Sequence, residues 1–239
     1  MKILADYYQY MQYDAEEFGD ATFLKRSIKK DDLDSIGTIG MNLCELYNRE
    51  EDKKSREEIR SLIIELGSCI DRNIPRMKDG AFYRINTMWA DDTFMSCPFL
   101  VRLGNITGDN KYYDEAVKQL TLYTKRLFIR EEGVYSHIFF PKLDRPNNVP
   151  WGRGNGWVYL ALAETIEHLP DNYEGKEKLC EIFKTAAAGL VDKQDSLGLW
   201  HQVLTLHDTF SETSCTAIFS IAIAKGIKMG ILDAQRYLP

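Results

Sequence analysis

Trp151-Gly152-Arg153-Gly154-Asn155-Gly156-Trp157 sets two indoles and a guanidinium among three glycines, directly ahead of the apolar run Val158-Tyr159-Leu160-Ala161-Leu162-Ala163. Glycines placed so densely give up more helix propensity than a structural turn requires. They imply either tight turning or a ligand lying against the main chain. The flanking rings suit stacking on a planar or sugar-like face, and Arg153 suits a forked contact with a carboxylate. The alternative is a glycine-rich helix start whose tryptophans only pack.

Helical periodicity extends from this segment in both directions. Apolar spacing predicts helices over residues 154–168 and 174–191, and upstream over 4–18, 34–48, 55–72, 91–104 and 110–129. Pro98 must lie near the start of the 91–104 helix or bend it. Downstream a helix over 212–225 follows, with a short one near Lys228. Residues 81–85 read as a short extended piece. The segment 130–150, with Pro141, Pro146 and Pro150, reads as a loop with one extended stretch at Val134 to Phe140. No run of β-branched strands alternates with the helices, which argues against a doubly wound sheet and for an all-α chain of helical hairpins. Such hairpins make either an α-solenoid or part of a closed toroid.

A weak repeat favours the toroid. Gly80-Ala81-Phe82-Tyr83, Gly133-Val134-Tyr135-Ser136 and Gly198-Leu199-Trp200-His201 each set a glycine and aromatics between two helices. The spacing between copies fits one hairpin plus its loops, so these loops are expected to gather at one end.

The chain has 239 residues, 44% hydrophobic, enough for one large domain over 1–239. A net charge of −6, from 30 basic and 36 acidic residues, gives no overall attraction to nucleic acid or anionic membrane. An acidic ligand therefore needs a local positive pocket. The basic run Lys25-Arg26 with Lys29-Lys30 is followed by Asp31-Asp32 and reads as a solvated face. No signal peptide or transmembrane run is visible, so the cytoplasm is the default expectation if Met1 is the true start. Cys44, Cys69, Cys97, Cys180 and Cys215 are odd in number and widely spaced, which reads as reduced, mostly buried small hydrophobes. His201 and His207 do not have metal-ligand spacing and no HExxH occurs, so no metal is expected. His168 reads as a histidine at a helix C-terminus.

Met88-Trp89-Ala90-Asp91-Asp92, Pro98-Phe99-Leu100, Thr107-Gly108-Asp109, the segment from Trp151 to Trp157, Leu199-Trp200-His201-Gln202-Val203 and Glu212-Thr213-Ser214 together resemble the unsaturated rhamnogalacturonyl hydrolases. These are glycoside hydrolases of family 105, related to the family 88 unsaturated glucuronyl hydrolases. The resemblance runs in order from about residue 31 to 228. It implies an (α/α)6 toroid of six helical hairpins with the active site in the open cup at one end. Against that ring, a count of about eight helices implies an incomplete toroid, truncated at the C-terminus.

The resemblance further implies action on the terminal 4,5-unsaturated uronic acid of short pectin-derived oligosaccharides, without a cofactor. The C4=C5 vinyl ether is hydrated: an acid protonates C4, water adds at C5, and the hemiketal opens to release the next sugar. Asp91 matches the acid/base position, and Asp34, in Leu33-Asp34-Ser35-Ile36-Gly37, matches the second family aspartate. From the residues alone, Asp34 also reads as a helix N-cap and Asp91 as a first-turn carboxylate favoured by the helix dipole. Asp92 points about a quarter to a third of a turn away. An acid still protonated near neutral pH needs desolvation or a second negative group, which Asp34 is placed to supply.

His137 matches a family histidine near the substrate, although His-Ile-Phe-Phe-Pro-Lys replaces the more usual His-Gly-Trp-Asp. Arg153 and Trp157 carry over as substrate contacts for charge and stacking, with Trp151 and Trp89 as further aromatic contacts. His201 and Gln202 line the cup, or His201 satisfies loop carbonyls instead. Arg84 sits where a polar side chain can reach the substrate. The partner implied is a small anionic oligosaccharide. The competing expectations are the same chemistry on glycosaminoglycan or algal uronates, and a non-catalytic helical carbohydrate-binding or scaffold fragment.

Overall fold

The computed structural model describes residues 31–237. The helix expected over 4–18 and the basic run at 25–30 lie outside the described residues. Among those described, eight α-helices dominate: α1 (Leu33–Arg49), α2 (Lys53–Asn73), α3 (Cys97–Thr107), α4 (Lys111–Leu127), α5 (Gly152–His168), α6 (Lys176–Val191), α7 (Thr213–Lys228) and the short α8 (Ala234–Tyr237). Asp32 caps α1 by accepting from Asp34 N–H, in place of the cap expected at Asp34, and Asp52 caps α2 by accepting from Ser55 N–H. The cap of α1 is thus Asp32, and Asp34 lies inside the first turn.

The helix expected over 91–104 is shifted. Pro98 occupies the first turn of α3, where its missing N–H costs no hydrogen bond. Upstream, Ala90–Thr93 form a separate 3-10 turn that carries Asp91 and Asp92. Helix α5 starts at Gly152, two residues earlier than expected, because the Gln202 carbonyl accepts the Gly152 N–H at 2.7 Å. The short helix expected near Lys228 begins instead at Ala234, since α7 runs on to Lys228.

Short turns close α1 onto α2 and α3 onto α4, while long loops carry the chain from each hairpin to the next. Helix α1 packs on α3, α3 on α5 and α5 on α7, with α2, α4 and α6 outside them. The result is an arc of an α/α toroid with α1, α3, α5 and α7 on its inner side.

The long loops obey one rule. Gly80, Gly133 and Gly198 all adopt positive φ, at 89°, 68° and 78°, which turns the chain where a side chain would be strained. Two residues later the backbone N–H of Phe82, Tyr135 and Trp200 is accepted by a polar side chain of a neighbouring helix: Gln119 at 2.9 Å, Asn155 at 2.7 Å and Thr216 at 3.1 Å. All three aromatic side chains are buried. Each loop is thereby fixed at both its turn and its inner edge.

The extended pieces pair more fully than expected. Strands β1 (Met88–Trp89), β4 (Ile138–Phe140) and β5 (Arg145–Pro146) form one antiparallel sheet, and β2 (Phe128–Ile129) pairs with β3 (Val134–Tyr135). Opposition of Trp89 to Ile138 brings the loop carrying Asp91 beside the loop carrying His137. All five cysteines are free, and four are buried. No helix among the described residues is long and apolar enough to cross a membrane.

Candidate active site

The inner helices bring their N-terminal ends to the long-loop side, and a row of side chains crosses all four starts. Arg84 Nη2 lies 3.0 Å from both carboxylate oxygens of Asp34 in the first turn of α1. The same guanidinium reaches Asp92, with Nη2 donating at 2.7 Å and Nε at 3.0 Å to Oδ1. Arg84 also stands over the Trp89 ring at 4.9 Å. Trp89 meets His137 edge-on at 5.3 Å, and His137 meets Trp151 at 4.6 Å. Arg153 then covers Trp151 at 4.4 Å and approaches Glu212 and Ser214, at the start of α7, at 3.5 Å each.

Asp91 joins this row at its centre. Its Oδ2 lies 3.0 Å from His137 Nε2, and its side chain is 13% exposed. The β1–β4 pairing continues as a 2.8 Å bond from Ala90 N–H to the His137 carbonyl, so acid and imidazole are fixed through their own backbones. Gly154 forms the floor. A Cβ there would stand 3.2 Å from the His137 ring, 3.0 Å from Trp151 and 3.7 Å from Asp91 Oδ2. Gly152 and Gly156 serve packing instead, since added carbons would meet the His201 carbonyl at 2.8 Å and Ile218 at 3.0 Å. All three glycines thus allow close approach, Gly154 of the site side chains and the other two of neighbouring loop and helix.

Burial pushes the Asp92 carboxyl up to about 6, and Arg84 only partly offsets this. Burial likewise raises Asp34 against the pull of the same arginine. Burial disfavours the Arg84 charge, but the two carboxylates outweigh it and raise the group above its ordinary value. Burial of Glu212 opposes its ionisation too, yet hydrogen bonds from Ser214 and Cys215 outweigh it and hold the carboxylate below its ordinary range. A proton-holding side and a firmly anionic side thus flank Asp91 and His137.

Seven residues singled out in the sequence, Asp34, Arg84, Trp89, Asp91, His137, Trp151 and Arg153, meet in this row. Arg84 spends its donors on Asp34 and Asp92 rather than standing free. Trp157 lies one turn beyond Arg153 on α5 and stacks on Phe94 at 4.8 Å, so one of its faces is already covered. His201 turns into its own loop. Its Nδ1 bonds the Thr209 carbonyl and its Nε2 lies 3.4 Å from Asp195. The loop-carbonyl reading of His201 is the one its geometry matches, and Gln202 contributes the carbonyl that caps α5.

Three contributors lacked a role in the sequence reading. Asp92 anchors Arg84. Asn155, fully buried, donates to the carbonyls of Tyr135 and Trp151 while accepting the Tyr135 N–H, which fixes the loop leading to His137. Glu212 caps α7 and holds Arg153. The signal for Asn155 was its place between two glycines, where an amide has no helical advantage. At the far end of α5, Glu164, Glu167 and His168 lie close together, but Arg102 and Lys225 pair with Glu164, and Lys225 pairs with Glu167.

Comparison with known proteins gives the family. A hydrolase from Alteromonas sp. (strain LOR), the Unsaturated 3S-rhamnoglycuronyl hydrolase, is 35% identical over 153 residues, covering 62% of this chain and 37% of that protein. The Unsaturated rhamnogalacturonyl hydrolase YesR of Bacillus subtilis is 25% identical over 151 residues, covering 63% of this chain and 44% of its own length. The chain thus matches less than half of each of these two relatives. A solved family 105 glycoside hydrolase from C. acetobutylicum superposes with a TM-score of 0.77 at 26% identity, over 87% of this chain and 64% of that one. Residues 2–239 match Glycosyl Hydrolase Family 88, and the chain belongs to that family.

Proposed function

We propose that this chain carries the acid end of an unsaturated-uronyl hydrolase, acting on a uronyl–rhamnose linkage by hydrating the C4=C5 bond. The observation that carries the reading is Asp91 Oδ2 held 3.0 Å from His137 Nε2 beside Gly154, with the imidazole set between Trp89 and Trp151. In the proposed step Asp91 gives its proton to C4, and the ring oxygen lends electrons so that positive charge develops at C5. Water adds there and returns a proton to the Asp91 carboxylate. The hemiketal then opens and the rhamnose leaves. His137 holds the carboxyl in place through its ring nitrogen. Arg153, 42% exposed and weakly held, takes the uronate carboxylate, and Trp151 lies against the sugar.

Both curated relatives act, by name, on rhamnose-containing uronides, which supports rhamnose as the leaving sugar. The higher identity to the 3S-rhamnoglycuronyl enzyme favours a sulfated algal-type uronide as a second reading beside the pectin-derived one. Incubation with an unsaturated galacturonyl-rhamnose disaccharide and with its sulfated glucuronyl counterpart, followed by ultraviolet absorbance of the conjugated double bond, separates the two. Loss of absorbance with either one supports hydration and names the substrate. No loss with both, by a protein that still binds the disaccharides, would establish the non-catalytic carbohydrate-binding alternative.

A further inference from the structure

On the outer side of the arc, away from the row of site residues, α4, α6 and the β2–β3 hairpin enclose a cavity of about 290 Å3. That is close to the lower end of small-ligand pockets. Its rim carries Lys125, Arg130 and Lys178, and its wall includes Phe128 and Glu181, with the buried Tyr135 behind. Glu181 is already bound to Lys184 at 2.8 Å, whereas none of the three rim cations is ion-paired with a described residue. Three cations without an ion pair to a described residue thus surround one concavity. Many of the other described cations are spent on carboxylates, among them Arg76, Arg84, Arg102, Arg126, Lys193 and Lys225.

The wall adds a second chemistry. Phe128 is only partly buried and meets Tyr135 edge-on at 5.1 Å, while Thr124 bonds the Tyr135 hydroxyl at 3.2 Å and fixes that ring. An aromatic face beside hydroxyl groups and ringed by cations suits a sugar ring bearing an acidic substituent: the apolar face of the sugar rests on Phe128, and the carboxylate or sulfate ester meets the cations. We propose that this cavity is a second saccharide site, for one or two rings of an acidic oligosaccharide, separate from the cup. Tyr135, fully buried, backs the cavity wall, and His137, two residues on, contacts Asp91, so the loop pinned by Asn155 adjoins both sites.

Titration of isotopically labelled protein with saturated digalacturonate, with a sulfated rhamnoside and with neutral cellobiose, followed by amide NMR, tests this. Saturated sugars carry no C4=C5 bond, so the outcome is independent of whether the cup performs hydration. The expected result is saturable shifts at Lys125, Phe128, Arg130 and Lys178 with one or both acidic sugars and none with cellobiose. A combined K125E/R130E/K178E variant, changed only at exposed positions, should weaken that binding about tenfold or more. Asp91→Asn should leave it unchanged. The two acidic arms tell carboxylate from sulfate. Shifts confined to Trp89, His137 and Trp151, equal shifts with cellobiose, or the same shifts from inorganic phosphate alone would overturn the proposal.

Discussion

Arg84 and Arg153 stand at opposite ends of one row of side chains, and each lies over a tryptophan beside acidic groups. Arg84 is 35% exposed and makes bonds of 2.7 to 3.0 Å to a carboxylate that is itself 1% exposed. Arg153 is slightly more open and lies 3.5 Å from its partners. The first guanidinium neutralises a buried acid and joins α1 to the turn before α3, so its charge is committed to the fold. The second is held only at long range and stands more open to solvent. Residue type and position near the cup made the two look alike, and desolvation of the partner separates them.

The largest effect expected is on chemistry at the centre of the row. Asp91→Asn should lower turnover by about 10²–10⁴-fold, the usual weight of a positioned proton donor, while the thermal midpoint stays near that of the parent. Arg84→Met comes next and should act on stability, because Asp92 is left buried without its cation. Urea titration should show a loss of about 3–5 kcal/mol, greater at pH 8 than at pH 5, where Asp92 takes up a proton instead. Arg153→Met should show the reverse pattern: KM for the acidic substrate rising about 10–100-fold, with stability changed by less than about 1 kcal/mol. A stability loss at Arg153 equal to that at Arg84 would erase the contrast between them.

A smaller effect sharpens the Arg84 end alone. The folded-state pKa of Asp92 is raised from 3.8 to about 6, so its proton stabilises the fold below the unfolded value, and this contribution is lost as pH rises from 3.8 through about 6. Asp92→Asn should flatten the stability profile over that window, read from urea midpoints at successive pH values. The smallest effect belongs to His201→Ala. It should destabilise the loop between α6 and α7 by about 1 kcal/mol and leave kcat/KM nearly unchanged, since the imidazole bonds Thr209 rather than the cup.

Much of this arrangement is legible in the sequence. Periodicity located the helices because each inner helix buries one apolar face, and the glycine-aromatic repeat marked the three loops because a positive φ must precede each buried ring. Helix starts were less legible. Pro98 displaced α3 and left Asp91 in a separate turn, while a carbonyl from a distant loop drew the start of α5 forward. In the site, the residues in contact with one another carried sequence motifs, but their division of labour did not. Whether Arg84 is free or committed depends on Asp34, fifty residues away and brought beside it by packing of α1 on α3. The exact environment of His201 was illegible for the same reason, because Thr209 and Asp195 reach it through the folded loop.

The most direct test follows double-bond absorbance and released rhamnose together, in the same reaction, for the parent protein and for Asp91→Asn. Protonation at C4 predicts that absorbance falls in step with rhamnose release in the parent, and that both slow together in the variant. Rhamnose appearing while the released uronate still keeps its double bond, or an Asp91→Asn protein that turns over at the parental rate, would contradict the assignment of Asp91 as the proton donor to C4.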